Sequence, residues 1–220
     1  MRVVIAGGHG QIALRLERLL VEQGHEAVGI VRNPDHVADV QATGAEALVL
    51  DLESAGVDDL AGHLAGADAV VFAAGAGPGS GIPRKDTVDR GASVLLADAA
   101  EQAGVERFVQ VSSMGAGAPA RPGTDETFAA YLEAKTAAED DLRRRSLDWT
   151  VLRPGGLTND PGTGRVRLAS SVARGQVSRD DVAAVLAGLL TGAGGVHRVL
   201  ELVGGDTPIP DALAEAGAPG

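Results

Sequence analysis

An α/β fold built on a doubly wound parallel sheet is what this sequence predicts, and three observations predict it. Short β-branched runs alternate with helical patterns along the chain. The strand segments read as continuous apolar stretches, as expected for parallel strands covered on both faces. Glycine- and proline-rich stretches at 75–83, 115–123 and 154–164 each follow a strand, where loops of an open parallel sheet gather over a ligand crevice.

The strand candidates are residues 3–6, 26–31, 47–50, 69–73, 108–112, 150–153 and 198–203. Between them lie segments with apolar spacing near 3.6. In 178–190 the apolar positions Val182, Val185, Leu186, Leu189 and Leu190 share one helix face, Ser178 is placed to cap it, and Asp180 and Asp181 fall in the first turn. Such alternation specifies βαβ units with right-handed crossovers. No linker or composition shift divides the 220 residues, so a single domain over 1–220 is expected, with 215–220 as a flexible tail. Arg143, Arg144 and Arg145 read as the cationic close of a long helix.

Composition narrows the function. A formal net charge of −11 argues against a nucleic-acid partner. With no cysteine, disulfides and thiolate metal sites are excluded. The histidines His9, His25, His36, His63 and His197 lack metal-site spacing and read as surface or loop residues. No apolar run is long enough for a membrane span, and the chain opens on a strand rather than a leader pattern. A soluble, cytoplasmic protein with a small-molecule substrate is expected, its self-association left open.

Immediately after the first strand, and before a helix, comes Gly7-Gly8-His9-Gly10-Gln11-Ile12-Ala13. The first glycine allows a tight turn, the second lets backbone approach a pyrophosphate, and a small third residue lets helix and strand pack closely. The helix amino terminus then offers free N–H groups to the anion. This is the dinucleotide loop of a Rossmann-type fold, and it nominates Gly7, His9, Gly10, Gln11 and Ile12 as cofactor contacts. The second strand ends in Val31-Arg32-Asn33, without the carboxylate that holds a ribose 2′-OH. Arg32 instead suits a 2′-phosphate, so NADP(H) is the expected cofactor.

The chain's one tyrosine, Tyr131, precedes one of its two lysines, Lys135, by four residues, so both project from one helix face. An ammonium beside a phenol favours the phenolate, which acid–base chemistry at a tyrosine needs. The alternative is a packed tyrosine with Lys135 reaching outward to solvent. Upstream, Ser112 and Ser113 end the fifth strand, and either hydroxyl has the place to orient a substrate oxygen. Lys85, beside Arg84 in the glycine-rich loop after the fourth strand, reads as a solvated loop charge, contact with a substrate or a cofactor phosphate being the alternative, and Asp89 reads as a first-turn helix residue.

Taken together, the glycine loop, Ala73-Ala74-Gly75, Val111-Ser112-Ser113, Tyr131-x-x-x-Lys135 and Arg153-Pro154-Gly155-Gly156 follow the order of short-chain dehydrogenases/reductases. The chain resembles their atypical branch, related to biliverdin/flavin reductases and NmrA-like sensors, over essentially its whole length. The resemblance implies that Asp51 and Leu52 face the adenine and that Ala73, Ala74 and Gly75 line the cofactor. It implies Ser112 at the cofactor, Pro154, Gly155, Gly156 and Leu157 near the nicotinamide, and Lys135 on its ribose. It implies Ser113, Tyr131 and Lys135 as the catalytic group of an NADP(H)-dependent oxidoreductase. A nucleotide-sugar epimerase or dehydratase and a non-catalytic NADP(H) sensor are the alternatives.

Overall fold

The computed structural model describes residues 1–77, 79–120, 123–192 and 194–217. The chain begins with β1 (Arg2–Ala6), α1 (Gln11–Glu22), β2 (Glu26–Val31), α2 (Val37–Gln41), β3 (Glu46–Val49), α3 (Val57–Leu64) and β4 (Ala69–Phe72). After a glycine-rich loop come α4 (Ile82–Arg84), a π-helical segment (Lys85–Gly91), α5 (Ala92–Ala103), β5 (Arg107–Val111), β6 (Met114–Gly117) and α6 (Glu126–Leu142). The remainder holds β7 (Asp148–Pro154), β8 (Gly156–Thr158), β9 (Arg165–Ala169) and β10 (Gln176–Ser178). It closes with α7 (Arg179–Thr191), β11 (Arg198–Gly204), β12 (Thr207–Pro208) and α8 (Ile209–Gly217).

Nine strands form the main sheet in the order β12-β9-β11-β7-β5-β4-β1-β2-β3. The seven from β11 to β3 run parallel, and each coincides with an expected strand to within a few residues. Alternation of faces on β1 shows how they are held. Val3 and Ile5 pack with Leu16 of α1 and Leu186 of α7, while Val4 and Ala6 pack with Leu60 of α3 and Leu96 of α5. Both faces are therefore dry, which is why the strands read as unbroken apolar runs.

The sheet departs from the all-parallel expectation at one edge. β9 runs antiparallel to β11, and β12 antiparallel to β9. In β9 the arginines Arg165 and Arg167 face out while Val166 and Leu168 face in. That alternation belongs to a half-covered edge strand, which a search for continuous apolar runs passes over. β8 and β10 pair in a small separate sheet within the expected 154–164 loop region and beyond it.

α7 starts as expected, with Ser178 Oγ accepting from the Asp181 N–H at 3.0 Å. The Asp181 carboxylate also accepts from Gly164 N–H at 2.8 Å, fastening the preceding loop to the helix. Two expectations are corrected. The arginine run lies just beyond α6, and Arg145 bonds Asp141, Asp98 and Glu101, clamping α6 to α5 rather than merely offsetting a dipole. Residues 215–217 of the expected tail belong to α8, and 218–220 lie outside the described residues.

At the centre, β1 is flanked by β2 on one side and β4 on the other. The crossovers therefore diverge there, and a crevice opens at the carboxyl ends of β1 and β4, where doubly wound sheets bind ligands.

Candidate cofactor and substrate site

The turn after β1 is built by absence of side chains. Gly7 has φ +83, and a Cβ on it would lie 2.6 Å from the Ala74 Cα, so this loop and the end of β4 meet backbone to backbone. Gly10 N–H closes the turn on Gly7 O at 2.8 Å. α1 then begins with no side-chain cap and no acidic residue in its first turn, leaving its N–H groups and positive dipole end for an anion. A cleft of about 600 Å³ runs from Gly7, His9, Gly10 and Gln11 past Arg32 to Asp51 and Leu52. Its length, its glycine cradle and the open helix terminus fit a dinucleotide. His9 is better anchored than a free loop residue: it bonds Asp39 at 2.7 Å and stacks on His36 at 3.6 Å.

Arg32 stands on this cleft as expected, but with partners the sequence did not reveal. Its Nη1 donates to Glu53 Oε2 at 2.9 Å, and Arg84 Nη2 donates to the same oxygen at 2.6 Å. Thr87 Oγ1 donates to Glu53 Oε1 at 2.7 Å. The Arg84 bond, then that of Thr87, holds the Glu53 carboxyl below its usual range. The carboxylate missing from the end of β2 thus arrives from the loop after β3, with a second arginine beside it.

A second cavity of about 520 Å³ shares the wall Ala73–Gly77 with the first. Ile12, Ser112, Tyr131, Lys135, Pro154 and Leu157 line it. Three expected site residues, Ser113, Gly155 and Gly156, lie off both walls. A Cβ on Gly155 would strike Gly175 O at 2.4 Å, so that glycine serves packing against the β10 approach, and Gly156 lies in the small sheet beside Gln176.

Lys135 does not reach outward. It is buried, with Nζ 3.2 Å from Asp89 Oδ1 and bonds of 3.3 Å to Ala74 O and Val111 O. Burial pushes its ammonium pKa down, and Asp89 opposes that shift. Asp89 is not a solvated first-turn residue. The π-helical segment turns it fully inward, where Oδ2 also accepts from Ala76 N–H at 3.2 Å. A π-bulge of this kind commonly marks a functional site. Nothing in local spacing joins Asp89 to Lys135, which come from different helices.

The expectation that Lys135 favours a Tyr131 phenolate is corrected by these contacts. Lys135 Nζ lies 5.7 Å from the Tyr131 ring centroid with its charge matched by Asp89. The phenol pKa is pushed up to about 12, first by burial and then by Asp89, while a hydrogen bond with Ser113 draws it back. Ser113 is therefore the serine at the phenol. Ser112 Oγ instead donates to Glu139 Oε1 at 2.5 Å, and Arg153 grips that buried carboxylate through Nε at 3.0 Å and through Nη2. Ser112 borders the cavity but spends its hydroxyl on this network.

A mostly parallel Rossmann sheet, a glycine loop under an open helix terminus, and Tyr131 with Lys135 in a cavity that shares the cleft's wall have the arrangement of an atypical short-chain dehydrogenase/reductase. Residues 7–193 match the model of the NAD(P)H-binding family, and the chain belongs to that family. It is 37% identical to an uncharacterised sugar epimerase of Bacillus subtilis, over 97% of this chain and 99% of that one. A solved structure from Bacillus halodurans, proposed to be an NAD-dependent epimerase/dehydratase, superposes with a TM-score of 0.90 at 36% identity, covering 98% of this chain and 99% of that chain. An oxidoreductase from Lactococcus lactis gives 0.83 at 26% identity, covering 98% and 96%.

Proposed function

We propose that the protein is an NADP(H)-dependent oxidoreductase that reduces a small organic substrate. The observation that carries this reading is the shared wall Ala73–Gly77, which makes the dinucleotide cleft and the Tyr131 cavity two halves of one space. A bound nicotinamide supplies the hydride. Gly7, Gly10 and the α1 terminus would hold the pyrophosphate, Asp51 and Leu52 the adenine end, and Lys135 would take the ribose by turning from Ala74 O. Arg32, with Arg84 beside it, would take the 2′-phosphate by turning from Glu53.

Tyr131 acts as an acid in this scheme. A phenol near 12 carries its proton at neutral pH, and Oη would pass that proton to a substrate oxygen with Ser113 orienting the pair. Lys135 Nζ lies 3.2 Å from Asp89 Oδ1 beside the ring, and that carboxylate opposes the downward push of burial on the ammonium. Two arms test the reading. Calorimetry should show NADPH binding more tightly than NADH, and Arg32→Ala should erase most of that difference; equal affinities in the wild type would defeat the assignment. Among aldehydes, ketones, quinones and flavins, turnover by the wild type should fall at least ~100-fold in Tyr131→Phe.

The name of the Bacillus subtilis relative supports a second reading, sugar epimerisation, in which hydride returns to the same molecule. Net loss of NADPH absorbance with a carbonyl substrate favours the first. Interconversion of sugars without net NADPH loss favours the second. Tight NADPH binding with neither reaction favours a sensor.

A further inference from the structure

Lys85 is the other lysine of the chain, and its surroundings differ from those of Lys135. It opens the π-helical segment yet is only 8% exposed, which corrects its reading as a solvated loop charge. Its Nζ donates to Gly77 O at 2.9 Å and lies 5.6 Å from the Tyr131 ring centroid, in the wall of the substrate-side cavity. Among the described residues, no carboxylate is within ion-pairing range of it. An ammonium has three donors, and one carbonyl accounts for one of them.

The other charges facing this space are already committed. Asp89 is paired with Lys135 and bonded to Ala76 N–H. Asp125 caps α6, its Oδ1 accepting from Phe128 N–H at 3.0 Å. Lys85 is thus the charge without a counter-charge, and a buried unpaired cation is costly unless a ligand matches it. Much of the rest of the wall is apolar, with Phe128 and Leu157 46% and 38% exposed beside Pro154 and Ile12, while Ser112, Thr127 and Tyr131 supply its hydroxyls. One cation among apolar walls suits a monoanion on an apolar body. Asp125 at the cavity disfavours a dianion such as phosphate.

We infer that Lys85 binds the carboxylate of an apolar organic acid and so sets the substrate class of this cavity. The inference rests on the cavity being the substrate side of a cofactor site. Bound there, the carboxylate would complete the donors of Lys85 and hold the substrate's reacting group at the Tyr131 phenol.

Benzoate and its neutral isostere benzamide serve as probes, titrated calorimetrically into the protein both free and saturated with NADP⁺. Benzoate should bind at least about tenfold more tightly than benzamide, since a charge-assisted hydrogen bond contributes that much. Lys85→Met should remove that preference while leaving NADP⁺ affinity within about twofold, and Lys85→Arg should keep it. Circular dichroism checks that each variant folds; the wild-type comparison of benzoate with benzamide stands even if Lys85→Met does not. Benzoate binding no tighter than benzamide, or a folded Lys85→Met with unchanged preference, overturns the inference. Loss of NADP⁺ binding alone strikes the cofactor reading instead, because the titration of the free protein is read separately.

Discussion

At the scale of single residues, Asp89 governs the candidate site. It takes up the charge of Lys135 and at the same time discourages a second negative charge on Tyr131, so the phenol is kept as an acid. Asp89→Asn should therefore lower the Tyr131 pKa below its value of about 12. Since the chain has one tyrosine, the ultraviolet absorbance of tyrosinate during a pH titration reports this group alone. An unchanged midpoint in the folded variant would remove Asp89 from the control of the phenol. Glu53 has the corresponding place in the other half of the cleft. It occupies both Arg32 and Arg84, and its charge opposes a 2′-phosphate. Glu53→Gln should raise NADPH affinity several-fold relative to NADH, and calorimetry giving the reverse order would contradict the clamp.

Among the elements, α1 carries a second titratable device. Glu17 is buried on its inner face beneath the glycine loop, where Cβ atoms on Gly8 or Gly29 would come within 3.0 or 2.5 Å of Oε1. Thr43 Oγ1 donates to Oε2 at 3.3 Å, and Oε1 has no hydrogen-bond partner among the described residues. Burial raises the Glu17 pKa to about 8 from an ordinary 4.5, with the Thr43 bond opposing. The folded state thus keeps a proton that the unfolded state has lost. The Glu17 contribution to stability is full below 4.5 and declines as pH rises towards 8, by a few kcal/mol. Thermal melts of the wild type should show that decline between about pH 5 and about pH 9, and Glu17→Gln should flatten it. A wild-type melting point that climbs across the window would refute the buried, protonated carboxyl. The neighbouring elements are held by more ordinary means, as where Arg145 ties α6 to α5.

For the whole molecule, the cofactor cleft and the core meet in one sheet, so binding and folding are linked. NADPH at about a hundred times its Kd should add about 2.7 kcal/mol and raise the melting temperature by about 5–10 °C for a domain of this size. Gly10→Val should cancel the gain, because its Cβ would already lie 3.1 Å from Gly7 O and the rest of the side chain would enter the cleft. A variant that melts normally and still gains stability from NADPH would move the pyrophosphate elsewhere.

Local pattern alone determined the seven parallel strands, the glycine turn, the cap at Ser178 and the grouping of Tyr131 with Lys135. Each is encoded within a few consecutive residues: an apolar run, a positive-φ glycine, a hydroxyl before a helix, an i to i+4 pair. The antiparallel edge was less legible, since β9 alternates outward arginines with buried residues and β12 is only two residues long. Only the tertiary structure decided the electrostatics. Whether Lys135 is free or matched by Asp89, whether Arg32 stands alone or shares Glu53 with Arg84, and which serine meets the phenol depend on residues far apart in the chain. Burial and distance set the strength of a charge, and both arise only when separate helices and strands close over the same cleft.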